Sequence, residues 1–208
     1  KEMFSGLDSF PLLAVPLFIL AAEILTGGAV TMALLRLAQS LVGHLRGGLG
    51  HANVVSSAMF AGISGSALAD AAGPGSMMIR MMEKGGYDRP YAGALTIASA
   101  VVGPIIPPSI TMIIYAMQDQ QVSVGSLFMA GVLPGVLITV MVLLANAYVS
   151  RKRGYVSGDA MPTLLEIGRI FVFALPALSL ILLIVGGIRF GVFTPTEAAV
   201  IAVFYALN

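Results

Sequence analysis

Residues 102–109 read Val-Gly-Pro-Ile-Ile-Pro-Pro-Ser and fall midway along a charge-free stretch from Pro90 to Gln118. That stretch is long enough to cross a bilayer, which takes about 20 apolar residues. A proline inside a helix removes an amide donor, and its ring clashes with the carbonyl of the preceding turn. Because three prolines and a glycine fall within six residues here, an α-helix cannot continue through them. We predict two half-helices joined by an extended linker with free carbonyl groups.

The rest of the 208-residue chain is similarly apolar. Hydrophobic residues make up 58% and charged residues 10%, against roughly 25% charged in soluble domains, and the mean hydropathy is +0.95. This composition excludes a water-soluble domain and a disordered chain. The net charge of +1 gives no basic surface that would bind nucleic acid. The chain has no cysteine and only two histidines, so few side chains could bind a transition metal. We predict an all-α polytopic membrane protein.

Basic residues predict how the chain crosses the membrane, because Lys and Arg favour cytoplasmic loops. Nine of the eleven fall into three groups: Arg36 and Arg46; Arg80, Lys84 and Arg89; Arg151, Lys152, Arg153 and Arg169. All nine face the cytoplasm only if Gly47 to Glu83 enters and leaves on one side. Each arm would hold about 17 residues, or about 25 Å of helix. This length favours a re-entrant hairpin, with two tilted full spans as the alternative.

The turn of this hairpin would fall within residues 60–70, Phe-Ala-Gly-Ile-Ser-Gly-Ser-Ala-Leu-Ala-Asp. Glycine and serine weaken a helix where a turn is needed. A broken helix exposes carbonyls on one arm, which suit Na⁺, and amides on the other, which suit a carboxylate. Plain small-residue helix packing is the alternative for this stretch. Asp70 is either a ligand or gating residue, or a cap on the second arm.

Several other segments carry structural predictions. Residues 10–28 would form one crossing, and Glu23 within it would pack against a neighbouring helix or subunit, with a site role as the minority alternative. Residues 163–173 could start as an interfacial helix. Thr194 would cap a helix that has Pro195 in its first turn and Glu197 near its positive end.

These motifs together resemble those of one family. The stretches are residues 60–70 and 103–109, with flanks at 15–23 (Val-Pro-Leu-Phe-Ile-Leu-Ala-Ala-Glu), 85–87 (Gly-Gly-Tyr) and 193–199 (Phe-Thr-Pro-Thr-Glu-Ala-Ala). In this order they resemble the large, DctM-type membrane subunit of tripartite ATP-independent periplasmic (TRAP) transporters. The resemblance covers essentially the whole chain.

The resemblance implies a function that the spacing of the motifs alone does not indicate. It implies Na⁺-coupled secondary uptake of C4-dicarboxylates or related organic acids across the bacterial inner membrane by a multi-pass permease. A periplasmic binding protein would deliver the substrate, and a small membrane subunit would join the scaffold. A transport domain would move like an elevator in the lipid bilayer. Na⁺ would be the coupling ion, with no other cofactor.

The resemblance also implies residue roles. The hairpin tip and the facing linker would enclose Na⁺, with ligands among Ser64, Gly65, Ser66, Gly103, Ile106 and Pro108. Substrate-side candidates are Asp70, Pro107 and Ser109.

The implied organisation has four parts: scaffold and arm helices (1–46), the re-entrant hairpin (47–84), the broken helix and following span (85–150), and a connecting segment with scaffold-type helices (151–208). The family's large subunit is about twice this length. Since no second copy of either motif follows Ser109, we expect a fragment that does not transport alone.

Two other classes remain as alternatives. Residues 62–65, Gly-Ile-Ser-Gly, fit the pattern of an intramembrane serine protease with Ser64 as nucleophile. That nucleophile needs a nearby base, whereas both histidines lie upstream. An ion channel or a purely structural membrane subunit is the other alternative. A channel would need a continuous polar pore, whereas the irregular segments here are single and separated.

Overall fold

The computed structural model describes residues 13–26, 29–118, 121–155 and 162–207, and all regular structure in these ranges is helical. Its α-helices are α1 (Ala14–Thr26), α2 (Ala29–Val42), α3 (Gly48–Ser64), α4 (Ala67–Asp70), α5 (Ser76–Lys84), α6 (Arg89–Ala100), α7 (Ile110–Gln118), α8 (Val124–Arg153), α9 (Leu164–Arg189) and α10 (Pro195–Ala206). By length and composition, α8 and α9 can each cross a membrane, and α1 with α2, bent by 71°, could form a third span. The all-α prediction is confirmed.

One sequence prediction stays untested and another needs correction. Of residues 10–28, the structure describes 13–26, which contain the 13-residue helix α1, about 20 Å long; residues 10–12 and 27–28 lie outside the described residues, so the crossing stays a prediction. Residues 163–173 do not form a separate interfacial helix, because α9 runs unbroken from Leu164 to Arg189. Its first turn is fixed by a capping box between Thr163 and Glu166.

The hairpin prediction is confirmed in its architecture. Helix α3 is the first arm, and α4, a π-helical segment (Ala71–Gly75) and α5 form the second. The arms run antiparallel: Ser64 meets Asp70 at the turn, and Asn53 meets Met82 further down. Pro74, which has no amide hydrogen, lies in the π-helical segment. The depth of the turn in a bilayer stays a prediction.

The broken span also follows the prediction. Helix α6 starts at Arg89 with a proline in its first turn and ends at Ala100. Residues 101–109, which we call the linker, are non-helical, and α7 resumes at Ile110. The Pro107–Pro108 peptide bond is cis.

The main core holds the hairpin turn against the N- and C-terminal helices. Phe60 and Ile63 near the end of α3 pack in one buried cluster with Phe18 of α1 and Leu180 of α9. Burying a large apolar side chain contributes about 1.5–3 kcal/mol. The turn is therefore fixed on its apolar side.

A second group of contacts, the base cluster, joins the opposite end of the hairpin to α6 and α8. It consists of Gly47, Asp88, Tyr91, Asn146 and Arg153. The fully buried Asn146 side chain accepts a hydrogen bond from the Tyr91 hydroxyl at 3.0 Å and donates to the Gly47 carbonyl at 3.4 Å. Arg153 forms an ion pair with Asp88 at 2.5 Å. The hairpin, α6 and α8 are thus tied together where they share an end.

Candidate functional site

The tip of the hairpin (Ser64, Gly65 and Ser66) is two helix caps back to back. Gly65 has a φ of 59° and ends α3 by donating its amide to the Ala61 carbonyl. Ser66 is extended and caps α4, its hydroxyl accepting from the Ala69 amide at 3.4 Å. A left-handed residue is cheap only for glycine. The carbonyl end of α3 and the amide end of α4 therefore meet within two residues.

The tip and the linker are packed together with no room for additional side chains. A Cβ atom added to Gly65 would overlap the carbonyl oxygen of Pro108, and one added to Gly103 would stand 2.8 Å from the Asp70 Oδ2 atom and 3.1 Å from the Ala67 nitrogen. Each glycine thus allows one backbone to approach the other. The structure places Ser64, Gly65, Ser66, Gly103 and Pro108 in one site.

The buried carboxylate of Asp70 lies next to the tip and the linker. Asp70 is 2% exposed, and its Oδ1 atom accepts a hydrogen bond from the Ser64 hydroxyl at 2.5 Å. Its Oδ2 atom is buried and has no hydrogen-bond partner among the described residues. A buried carboxylate oxygen without a partner is costly. Since Oδ2 faces the Gly103 side of the linker, a cation between tip and linker would satisfy it.

The linker holds its own shape through Ser109. The Ser109 hydroxyl donates to the Pro104 carbonyl at 2.5 Å and accepts from the Met112 amide at 3.2 Å, so it also caps α7. Thr111 donates to the same carbonyl at 3.3 Å. Ser109 is fully buried. Its observed contacts are those of a residue that shapes the linker.

Ile106, the remaining predicted Na⁺ ligand, packs its side chain away from the tip. A Cβ atom on Gly135 of α8 would stand 2.5 Å from the Ile106 Cγ1 atom, and one on Gly131 would overlap the Ile105 carbonyl. These two glycines, one helical turn apart, let the linker lie close on α8. Only the backbone of Ile106 is left to serve a site at the tip.

A cavity of about 610 Å³ opens beside the tip. Its polar lining comes from Ser64, Ser66 and Glu23, and its apolar lining comes from Ile19, Ala22, Leu68, Ala69, Ala72, Gly73 and Ile110. None of the substrate-side candidates lines it: Asp70, Pro107 and Ser109 are all buried. Glu23 lines this cavity, and its expected packing against a neighbouring helix or subunit stays a prediction. The one feature of the sequence that indicated a role for Glu23 was its charge in an otherwise apolar helix.

The site offers hard oxygen ligands only: carbonyls, hydroxyls and one carboxylate. Such ligands suit alkali and alkaline-earth cations rather than transition metals. Among the described residues, no three histidine, cysteine or acidic side chains are close enough to hold a metal. Ser64 donates its hydroxyl hydrogen to the Asp70 carboxylate, and both histidines lie at or before the start of α3, so neither histidine can serve Ser64 as the base of a serine nucleophile. The geometry therefore favours cation binding over hydrolysis.

A helical membrane protein with a hairpin interlocked with a broken helix has the architecture of a secondary transporter subunit. Comparison with known proteins identifies which kind. The family described as "Tripartite ATP-independent periplasmic transporter, DctM component" matches residues 1–208. The chain belongs to this DctM family, which confirms the resemblance and makes it a transporter component rather than an enzyme.

Individual relatives carry different substrate names. A sialic acid TRAP transporter permease from Haemophilus influenzae is 43% identical over 100% of this chain and 33% of its own length. A 2,3-diketo-L-gulonate TRAP transporter large permease from Escherichia coli is 39% identical over 100% and 48%. A C4-dicarboxylate TRAP transporter large permease from Rhodobacter capsulatus is 36% identical over 99% and 49%. The chain thus spans about half the length, or less, of these curated relatives.

Proposed function

We propose that this chain forms the first ion-binding half of a large permease subunit that takes up a small organic acid with Na⁺ across the bacterial inner membrane. The observation that carries the proposal is the interlock of tip and linker, with the unpartnered Asp70 Oδ2 atom between them. The relatives named above are all permeases for organic acids. A C4-dicarboxylate or related carboxylate is therefore the proposed substrate class.

In this proposal the Na⁺ ligands come from Ser64, Gly65, Ser66, Gly103, Ile106 and Pro108, and Asp70 supplies the balancing charge. Gly65 and Gly103 bring the backbones of the tip and the linker close together, so that carbonyl groups of both could contact one ion. A carboxylate beside them makes the empty site electrostatically unfavourable and the occupied site neutral. Ion binding would then stabilise the interlocked arrangement.

The family's tripartite description supports two partners, a small membrane subunit and a periplasmic binding protein that delivers the acid. We propose that residues 47–84 and 85–150 belong to a moving transport domain, and that residues 1–46 and 151–208 belong to the scaffold. The base cluster supports the grouping of the hairpin with α6 and α8, because it ties all three at one end. Movement of the elevator type would carry the ion site with them.

The test is uptake of radiolabelled organic acids into proteoliposomes by the parent full-length permease with its small subunit and binding protein. The panel would contain sialic acid, 2,3-diketogulonate and C4-dicarboxylates, with and without a Na⁺ gradient. Ser66→Ala removes a tip hydroxyl, and Gly103→Leu forces a side chain into Asp70. We expect both variants to lose Na⁺-dependent uptake at least tenfold, since a lost ligand or a filled site costs more than about 1.4 kcal/mol.

Matched controls separate this effect from misfolding. Ser76→Ala removes a hydroxyl that bonds only the Gly73 carbonyl within its own arm, and Gly93→Leu adds the same side chain on α6 at a position where a Cβ meets nothing within 4 Å. Both controls should keep native uptake. Uptake by the native protein that does not depend on Na⁺ would overturn the proposal. An ion channel or a purely structural membrane subunit would then be the remaining alternatives.

A further inference from the structure

The cavity in front of the tip contains one ionisable residue, Glu23. It is the only charged residue of α1, and it lies past the middle of an otherwise apolar helix. An ionisable side chain at membrane depth is costly to keep, so it is expected to face a polar cavity or a partner and to have a function. Among the described residues, no hydrogen bond or ion pair joins the Glu23 carboxylate. It faces open space at the tip.

The two acidic residues near the tip differ in their surroundings: Asp70 is buried, whereas Glu23 is exposed. Asp70 accepts a hydrogen bond from the Ser64 hydroxyl, and Glu23 lines the cavity that Ser64 and Ser66 also line. Ser64 therefore contacts the buried carboxylate and also lines the cavity that holds the exposed one. The oxygen atoms of Glu23, Ser64 and Asp70 form a series that leads from the cavity to the buried Asp70 Oδ2 atom, which has no hydrogen-bond partner among the described residues.

The charge of Glu23 indicates which ligand uses this path. A lone carboxylate repels an organic acid and attracts a cation, and none of the other residues lining the cavity carries a charge that would offset it. The cavity would hold a partly hydrated small cation with room to spare. An anionic substrate would meet an uncompensated charge there unless a cation had entered first.

We infer that the cavity between α1 and the hairpin tip is the entry path of the coupling cation, and that Glu23 is its cation-attracting residue. This inference rests on the proposed function, because it assumes that the site behind the tip takes Na⁺. It adds a residue outside the proposed ligand set. It also gives α1, on the scaffold side, a direct role in loading an ion into the moving domain.

The experiment measures uptake by the full-length permease with its partner subunits as Na⁺ concentration is varied. Glu23→Gln keeps the shape of the side chain and removes its charge. The Na⁺ concentration for half-maximal uptake should rise about fivefold, the size expected for one charge acting across a partly hydrated cavity. The substrate KM at saturating Na⁺ should stay unchanged. Glu23→Asp should restore most of the native Na⁺ dependence.

Glu83→Gln is the matched control, since Glu83 lies at the far end of the hairpin, paired with Arg89 at 3.1 Å. It should leave both constants at native values. A Glu23→Gln protein with native Na⁺ dependence, or with a changed substrate KM at saturating Na⁺, overturns this inference. If Ser66→Ala still loses Na⁺-dependent uptake in the same assay, the proposed function stands without it. Loss of Na⁺ dependence in the native protein would overturn both.

A direct measurement supports the kinetic one. Thermal unfolding of the purified protein in detergent, without substrate, is compared in sodium chloride and choline chloride. A ligand that binds only the folded state raises the unfolding temperature, and the rise grows with the logarithm of its concentration above the Kd. Glu23→Gln should need more Na⁺ for the same shift, and an unchanged Na⁺ titration would contradict the inference.

Discussion

At the scale of single residues, two glycines decide whether tip and linker can meet. Gly65 combines a left-handed backbone with close approach to the Pro108 carbonyl, and Gly103 leaves space beside Asp70. A side chain at either position would separate the carbonyl groups that the proposed ion needs. The serines of the tip contribute hydroxyls, but the glycines set the distance between the backbones.

Gly65→Ala tests this claim against Gly154→Ala. Both glycines end helices with positive φ, 59° and 73°, so both variants lose about 1–2 kcal/mol from the left-handed backbone. At Gly154 a Cβ meets nothing within 4 Å, whereas at Gly65 it meets the Pro108 carbonyl. We therefore expect a larger loss of stability at Gly65, together with loss of the Na⁺-induced rise in unfolding temperature. Equal effects of the two variants in thermal unfolding would show that the close approach is unimportant.

At the scale of helices, the base cluster decides which elements are tied together. Asn146 of α8 is fully buried and forms hydrogen bonds with Gly47, the residue before α3, and with Tyr91 of α6. A buried amide of this kind stabilises the structure mainly because its partners would otherwise be unpaired. The cluster lies at the opposite end of the hairpin from the tip. It therefore fixes the helices without touching the proposed ion site.

Asn146→Leu should lower the free energy of unfolding by about 1–3 kcal/mol, since it leaves the Tyr91 hydroxyl without its acceptor. The Gly47 carbonyl loses one donor but still accepts from the His51 amide at 3.1 Å. The measurement is a double-mutant cycle with Tyr91→Phe, read by thermal unfolding. The two changes should be non-additive, because they remove the same hydrogen bond. Leu144→Ala on the exposed face of α8 serves as the control. Strictly additive losses would mean that Asn146 does not link α6 to α8.

At the scale of the whole molecule, the helix directions predict a topology. Helix α8 has 30 residues and α9 has 26, or about 45 and 39 Å, so each is long enough to cross. The Asp88–Arg153 ion pair puts the base of the hairpin at the C-terminal end of α8. Phe190 lies just beyond the far end of α9. The two arms of the hairpin should therefore share the cytoplasmic side with the basic end of α8.

Cysteine labelling of membrane vesicles checks this topology, and the 208 residues contain no cysteine of their own. Single cysteines at Lys84 and Arg151 should react with an impermeant maleimide from the cytoplasmic side, and a cysteine at Phe190 from the opposite side. All three positions are exposed in the structure. Labelling of positions 84 and 190 from the same side would refute the hairpin topology. The cysteine-free parent is the background control.

Much of the fold follows from local chemistry in the sequence. Proline lacks an amide hydrogen wherever it stands, so the break at residues 101–109 was predictable. Thr194 caps α10 as predicted, and Glu197 completes a capping box with it. The three groups of basic residues can all face one side only if residues 47–83 enter and leave on that side, which favoured the hairpin. These features depend on covalent structure and on neighbours a few residues away. Helix lengths were harder, as α9 shows, because an apolar helix can extend into a polar loop without any stop signal.

The site itself required knowledge of contacts between residues far apart in the chain. Backbone carbonyls carry no side-chain signature, so no sequence pattern told which linker residue meets the tip; packing places Pro108 against Gly65. Ser109 turned inward to hold the linker, and Asp70 turned to Ser64 and the linker. Glu23 lines the cavity because α1 packs beside the hairpin tip. The positions of helix breaks are properties of the chain, whereas the partners of each freed group follow from how the helices pack.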